Sequence, residues 1–348
     1  MITIQTSILK SILDKFSRII PSRAALPILP CVKLECDPDG ITFSGTDLEV
    51  GLSIKLPADV GDGVYMAVPF AVFRDVVSAS GGSDTEIYGA AGNTLVVKSG
   101  AMVSRIKCLD AGDFPPMPAA VEAGEVIQTA PLMAALRRVL PAASTDEART
   151  VLWGVFDGAA TDGFRVHHDP AAALPGGIIP ARALSELVKI FSADAEVRAE
   201  TSTGRMIFTA GGKTMFITEI EGRYPDWQAI MPKAAATTTA QIGRLAFLSA
   251  IKQAEIIARE SNNVIRLTVG DGKVVVNATS VETGDMTTEL AAETTGSLTV
   301  GMNCRFLRDA VEACEGKINM AMTVANAPVR VTGSGEFIAV VMPMHINE

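Results

Sequence analysis

One stretch of this sequence occurs three times, in the same order. Ile4-Gln5-Thr6 opens a segment that ends Leu13…Phe16…Ile19-Ile20-Pro21. Ile127-Gln128-Thr129 opens a second, ending Leu136…Val139-Leu140-Pro141, and Gln241-Ile242 opens a third with Leu245, Leu248, Ile251 and Ile257. Ile4, Ile127 and Ile242 lie 123 and 115 residues apart. Gly45-Thr46-Asp47 returns as Ala160-Thr161-Asp162 and, weakly, as Ala278-Thr279-Ser280. Val68-Pro69 returns as Ile179-Pro180 and then as Gly301-Met302, while Phe114-Pro115 is echoed by Tyr224-Pro225. Short solenoid repeats run to about 50 residues, so a unit near 116 residues is a whole domain used three times. That points to a built shape rather than a single catalytic pocket.

Each repeat reads as α+β, with two helices and many strands. Ser7 to Ile20 carries Ile8, Leu9, Ile12, Leu13, Phe16, Ile19 and Ile20 on one helical face. Thr6 or Ser7 is placed to cap its start, and Pro21 to stop it. Strands are predicted at 32–35, 41–44 and 49–56, a second helix from Pro69 to Ala79, and strands again at 85–88, 94–98 and 103–108. The two hinges are read as Phe114-Pro115-Pro116-Met117-Pro118 and the run from Pro232 to Thr239. They give three domains, 1–117, 118–235 and 236–348.

The 348 residues, 48% of them apolar, can fill a core in each unit. Met1-Ile2-Thr3-Ile4 alternates like a strand and has no basic leader or long apolar run, so no signal peptide is read here, and no stretch reaches membrane-spanning length. The five cysteines, Cys31, Cys36, Cys108, Cys304 and Cys314, form no C-x-x-C pair. Scattered buried thiols in a reducing compartment are expected, and a cytoplasmic location.

Catalytic motifs are sparse. There is no phosphate-binding loop or nucleophile elbow. Ser7-Ile8-Leu9-Lys10 matches the Ser-x-x-Lys of serine acyl-enzymes, but Gly212-Lys213-Thr214 lacks the following glycine and no Ser-Asp-Asn accompanies it. His167-His168-Asp169 resembles a metal cluster, yet neighbours on a strand point to opposite faces. Thr46-Asp47-Leu48-Glu49 becomes Thr161-Asp162-Gly163-Phe164 in the second copy, which marks a turn rather than a set of acidic ligands. No metal, cofactor or enzymatic activity is expected.

The chain has 30 basic against 39 acidic residues, which argues against nucleic acid if only net charge is counted. Binding depends on where charge sits, however. The predicted helices carry Lys10, Lys15, Arg18, Arg74, Arg137, Arg138, Arg182, Lys189, Lys252, Arg259, Arg305 and Arg308. Against them stand Asp14, Asp75, Glu186, Glu255, Asp309 and Glu312, so the helices imply one basic surface on an acidic protein.

At this point specific segments point to a known family. Arg23-Ala24-Ala25-Leu26-Pro27-Ile28-Leu29, Gly45-Thr46-Asp47-Leu48-Glu49, Ala160-Thr161-Asp162-Gly163-Phe164-Arg165, Gly222-Arg223-Tyr224-Pro225-Asp226 and the ending Val340-Val341-Met342-Pro343-Met344 keep one order along nearly the whole chain. In this the sequence resembles the bacterial sliding clamps, the beta subunit of DNA polymerase III. The resemblance implies three clamp-type domains, a head-to-tail homodimer closing a ring, helices around duplex DNA and antiparallel sheets outside. It also implies a separate loader ATPase, and a replicative polymerase and repair proteins that bind through short peptide motifs.

Matched by position, the resemblance gives three sets of residues. DNA contacts are Arg23 and Arg149, joined by the helix cations Lys10, Arg74, Arg137, Arg138, Lys189 and Lys252. A peptide groove is Leu152, Thr161, Gly163, Phe164, Arg165, Val166, Pro232, Val340, Met342, Pro343 and Met344, with Val341 inward and Val340 and Met342 outward. The dimer contacts are Ile256, Ile257 and Ile106. Phe164 replaces a common histidine, Thr150 and Val151 replace tyrosines, and His345-Ile346-Asn347-Glu348 replaces the usual arginine ending. The rival readings are a diverged clamp-like scaffold that is not loaded on DNA and, more remotely, an enzyme.

Overall fold

The computed structural model describes residues 1–346 apart from Asp62, Val121, Glu122 and Glu147. The ending at Asn347 and Glu348 lies outside the described residues.

The element order is itself threefold. The first stretch runs β1 (Ile2–Gln5), α1 (Thr6–Phe16), β2 (Cys31–Asp37), β3 (Gly40–Thr46), β4 (Val50–Pro57), β5 (Tyr65–Pro69), α2 (Phe70–Ala79), β6 (Asp84–Ala90), β7 (Thr94–Ser99) and β8 (Met102–Lys107). The second runs β9 (Glu125–Gln128), α3 (Thr129–Val139), β10 (Gly154–Val155), β11 (Ala159–Thr161), β12 (Arg165–His168), β13 (Ile179–Pro180), α4 (Ala181–Phe191), β14 (Glu196–Ser202), β15 (Arg205–Ala210) and β16 (Lys213–Thr218). The third runs β17 (Thr238–Ile242), α5 (Arg244–Ala258), β18 (Val264–Gly270), β19 (Lys273–Ser280), β20 (Gly284–Thr295), β21 (Leu298–Asn303), α6 (Cys304–Ala313), β22 (Glu315–Met322), β23 (Val329–Ser334) and β24 (Ile338–Val341). Each stretch is strand, helix and three strands, written twice.

The chain packs as two units. The first, Met1–Thr129 with Lys189–Glu219, holds an eight-stranded sheet ordered β5-β2-β3-β4-β16-β15-β14-β9 and a four-stranded sheet β1-β6-β7-β8. The second, Ala130–Val188 with Ile220–Glu348, holds a ten-stranded sheet β11-β12-β24-β23-β22-β17-β20-β19-β18-β21 and the pair β10-β13. All pairings are antiparallel.

Helix α1 buries Leu9, Ile12, Leu13 and Phe16, spaced at three and four residues, so one stripe meets the sheet. Ile8 sits off that stripe and is exposed, against the sequence reading. The helix also ends at Phe16, and Ile19 and Ile20 bury themselves from the turn that follows. Neither Thr6 nor Ser7 caps it. The cap position is Gln5, and Thr6 Oγ1 bonds Thr85 Oγ1 at 2.9 Å while Ser83 O takes the Thr6 N–H. A loop carbonyl has replaced the side-chain cap. In the second unit α5 packs Phe247, Ala250, Ile251, Ala254 and Ala258 against α6 and the sheet, leaving Leu245 exposed. Asn303 caps α6 through its side chain, which accepts from Arg305 N and Phe306 N.

Candidate functional site

The Thr-Asp turn is where the repeat becomes chemistry. In the second unit Thr161 Oγ1 donates to Arg165 O (2.6 Å), and Gly163 N donates to Thr161 Oγ1 (3.1 Å). Asp162 Oδ1 accepts from Phe164 N (2.9 Å) and Arg165 N (3.1 Å). The first unit repeats this bond for bond. Thr46 Oγ1 donates to Val50 O, Leu48 N donates to Thr46 Oγ1, and Asp47 Oδ1 accepts from Glu49 N and Val50 N. In the third copy Ser280 Oγ accepts from Glu282 N and Thr283 N, as the aspartate does elsewhere. The turn needs a left-handed residue, supplied by Gly163 (φ 90°) and by Leu48 (φ 81°).

After each complete turn the chain is gripped by a strand end. Met342 N donates to Phe164 O (2.8 Å), and Thr218 N donates to Glu49 O (2.7 Å). The registers match: Arg165 faces Val341 and Val166 faces Val340, as Val50 faces Ile217 and Gly51 faces Phe216. What differs is the filling. Val166 and Val340 form a floor with Ala159, Ile178, Tyr224 and Trp227, with Val151, Ile230, Met231 and Ile338 packed at its margin. In the first unit the Phe216 ring occupies the space above Gly51, and Met117 packs on Phe216 and Ile207. Of these two turns, the second keeps an apolar surface beside it.

The structure places the groove residues in three ways. Phe164 (58% exposed) and Gly163 stand at the surface, with Met342, Pro343, Met344 and Pro232 half-buried. Thr161, Leu152, Val166 and Val340 are buried beneath. Val340 and Val341 do face opposite sides, but Val340 is covered too, at 1% exposure, because the Tyr224–Trp227 segment lies over its face. Outward orientation therefore does not make Val340 a surface residue. Arg165 lies on the face opposite Val166 and is committed elsewhere, to Asp162 (2.9 Å), to Asp309 (2.6 Å) and to Pro141 O. Its guanidinium also sits 4.4 Å from the Phe306 ring centre.

Two features were not read as groove from the sequence. Arg149 lies against the turn, since a Cβ on Gly163 would come within 2.9 Å of its Nη1. Among the described residues it pairs with Asp146 at 3.9 Å and it is half-exposed, so it offers a cation at the groove margin. Trp227 supplies floor and stacks on His168. Asp226, which accepts from Ala229 N, was the sequence signal for the short helical turn that delivers it. The tail is stitched down as Met344 N donates to Gly301 O. A side chain at Gly301 would meet Ile346 Cγ2 and Met344 O at 2.5 Å. Between this tail and Arg266, Thr299, Ala325 and Asn326 lies a cleft of about 660 Å³.

The cations differ in exposure and in how firmly some are held. Arg23 and Arg137 are exposed, as is Lys189. Lys10 donates to Ser80 O (3.3 Å), Arg74 pairs with Asp75 (2.9 Å) and Lys252 with Glu312 (2.7 Å). Such exposed pairs contribute about 0–1 kcal/mol, so a phosphate can compete for them. Arg138 differs, held by buried Asp169 (2.7 Å) and by Glu315 (3.1 Å). That pairing leaves Arg138 less available to a phosphate than the other cations.

Ile256 is 63% exposed, whereas Ile257 is half-buried against its own core. Ile106, read as an interface residue, is 4% exposed and points inward, because strand alternation puts Val103 and Arg105 outside instead. His167 and His168 part as strand neighbours should: His167 Nδ1 pairs with Arg138 O (2.8 Å) and its ring meets Phe337 edge-on. Burial lowers the His167 pKa to about 4. Burial likewise raises the thiols of Cys31 and Cys304 to about 11 and Cys314 to about 12. Among the described residues no three acids, histidines or cysteines gather as metal ligands, and no helix is long and apolar enough to cross a membrane.

Comparison with known proteins is consistent along the chain. Residues 1–118 match the family described as DNA polymerase III beta subunit, N-terminal domain, and residues 228–345 match its C-terminal domain. The beta sliding clamp of Halalkalibacterium halodurans is 28% identical over 344 residues, covering 90% of each chain. That of Synechocystis is 28% identical over 384 residues, covering 97% of each. The Bacillus subtilis DNA polymerase sliding clamp superposes with a TM-score of 0.91 at 24% identity over 99% of both chains, and the Pseudomonas aeruginosa DNA polymerase III subunit beta with 0.90 at 24% over 99% of both. Two matched family domains, full-length relatives and a shared fold agree: the chain belongs to the DNA polymerase III beta subunit family, the beta sliding clamps.

Proposed function

We propose that this chain is a non-catalytic DNA sliding clamp, a processivity factor that closes as a head-to-tail homodimer around duplex DNA and tethers peptide-motif partners at the Phe164 turn. The observation that carries the assembly is strand pairing. β4 pairs with β16 and β12 pairs with β24, so the fourth strand of one stretch takes the last strand of the next. The third fourth-strand, β20, and the first last-strand, β8, remain. Among the described residues, Gly284–Ala291 of β20 pair with β19 only, and β8 with β7 only. A second copy would satisfy both edges at each of two contacts and so close the ring; unpaired edges are otherwise a liability.

The same equivalence supplies a register. Setting Thr283 as Val50 and Ile106 as Ile217 puts Gly284 opposite the partner's Arg105 and Met286 opposite the partner's Val103. In the same register Glu282, just ahead of β20, comes opposite the partner's Lys107, an opposite-charge pair that favours the contact further. Ile256 would add apolar area beside it.

A ring holds DNA by topology, so contacts can stay weak enough to slide. Arg23, Arg137, Lys189 and the loosely paired Lys10, Arg74 and Lys252 supply sequence-independent attraction to phosphate. The overall charge of −9 keeps DNA off the remaining surface. The groove takes short, mostly apolar motifs from the polymerase, the loader and repair proteins. The chain's sequence has no phosphate-binding loop, so a separate ATPase opens the ring. Three domains at 1–117, 118–235 and 236–348 and a cytoplasmic setting complete the reading.

The decisive experiment loads the protein on nicked circular DNA with a clamp loader and then linearises it. Retention on the circle and loss on linear DNA is the expected result; equal retention on both would reduce the protein to an ordinary DNA binder. No loading at all would make it a scaffold.

A further inference from the structure

We propose that Arg165 is a positioning residue that holds the Phe164 turn in binding shape from behind, with Asp309 of α6 as its anchor, rather than a surface that touches the peptide. This rests on the groove reading above and deepens it. The argument begins with Asp162, whose two oxygens are divided. Oδ1 accepts the Phe164 and Arg165 amides, and Oδ2 accepts Arg165 Nε at 2.9 Å. The orientation of the carboxylate that shapes the turn is therefore set by the guanidinium.

That guanidinium is in turn fixed on three sides, by Asp162, by Asp309 Oδ2 at 2.6 Å and by Pro141 O, with the Phe306 ring against its plane. Arg supplies this geometry because its donors form a rigid fork, which an ammonium cannot copy. Behind it the charges alternate: Asp309 Oδ1 pairs with Arg308 (3.1 Å), and Arg308 with Glu255 of α5 (2.7 Å). Glu255 is buried, and Arg305 lies 3.6 Å from it. The row Asp162–Arg165–Asp309–Arg308–Glu255 ties the turn to two helices.

The repeat supplies the control. The first unit closes the same turn with the same four bonds, but the position of Arg165 is Val50 there. The third copy has Thr283. Closing the turn thus does not require an arginine. Burying one is costly unless fully paired, and this copy, the one beside an apolar floor, carries it with every pairing in place. The residue serves the groove's shape.

The test uses the full-length dimer, a fluorescein-labelled C-terminal peptide of the replicative polymerase, and amide exchange at Gly163, Phe164 and Met342. Phe164→Ala must weaken the peptide; unchanged binding would sink the groove reading itself, independently of Arg165. Given that, Arg165→Lys keeps the charge and loses the fork, and Asp309→Asn acts from behind the strand. Both should weaken peptide binding about tenfold and speed exchange at the turn, with dimer mass unchanged and a melting temperature lowered by the broken pairings. Wild-type affinity in Asp309→Asn overturns the proposal. So does weakened binding by Arg165→Lys with unchanged turn exchange, which would make Arg165 a direct contact.

Discussion

Gly51 stands beneath the ring of Phe216, in the register where Val166 faces Val340 in the second unit. A Cβ at position 51 would collide with Phe216 Cε1. The two strand pairs divide a similar volume differently, and the difference separates a filled position from one with an apolar floor. Gly51→Val should cost about 1–3 kcal/mol through overpacking. Phe216→Val alone should cost about as much through a cavity, and the double variant should recover a good part of both. Denaturant melts of the four proteins check this, and strict additivity of the two losses would count against the exchange.

The proposed dimer register predicts a specific crosslink. Val103→Cys on β8 and Met286→Cys on β20, combined in one chain, should give a covalent dimer under mild oxidation, because opposed residues on antiparallel strands bring Cβ atoms to about 4.5–5.5 Å. Non-reducing gels should show the dimer band. Its absence, with a two-residue-shifted pair crosslinking instead, would correct the register.

Arg23 is exposed at the loop after α1. If it neutralises one phosphate, Arg23→Ala should lower the slope of log affinity against log salt by about 0.9 and weaken every duplex sequence alike. Titrations at several salt concentrations decide it, and an unchanged slope removes Arg23 from the DNA surface.

His167 predicts acid sensitivity. Its folded pKa is about 4, below the ordinary 6.5, because burial disfavours the imidazolium. The unfolded chain therefore takes up a proton first as pH falls. The stabilising contribution is complete above pH 6.5 and is lost on descending towards pH 4, by roughly 2 kcal/mol between pH 7 and 5. His167→Gln should flatten that part of the stability curve in urea melts at the two pH values, even if the variant is less stable overall.

Met344 contributes a flexible, polarisable side chain to the tail beside the turn. Met344→Ala should leave dimer mass and melting unchanged and weaken a polymerase tail peptide by roughly 1–3 kcal/mol. Equal affinities in a fluorescence titration would take Met344 out of the groove.

Local pattern determined much of this protein. The threefold order of strands and helices, the Thr-Asp turn and six strands of the first repeat, to within about two residues at each end, could be read directly, because alternation, helical spacing and side-chain-to-backbone turn bonds involve residues close in sequence. Even the missed strand β5 lies just before a helix start that was read to within a residue. The tertiary structure decided which of those residues remain available. Arg138 and Arg165 look like surface cations until Asp169, Glu315 and Asp309 arrive from 31 to 177 residues away. Val340 alternates outward but is roofed by Tyr224 and Trp227, and Ile106 turns inward while Val103 does not. Exposure, charge pairing and the filling of a cavity depend on what another segment brings to the same place, and the spacing of a residue's own neighbours carries no record of that.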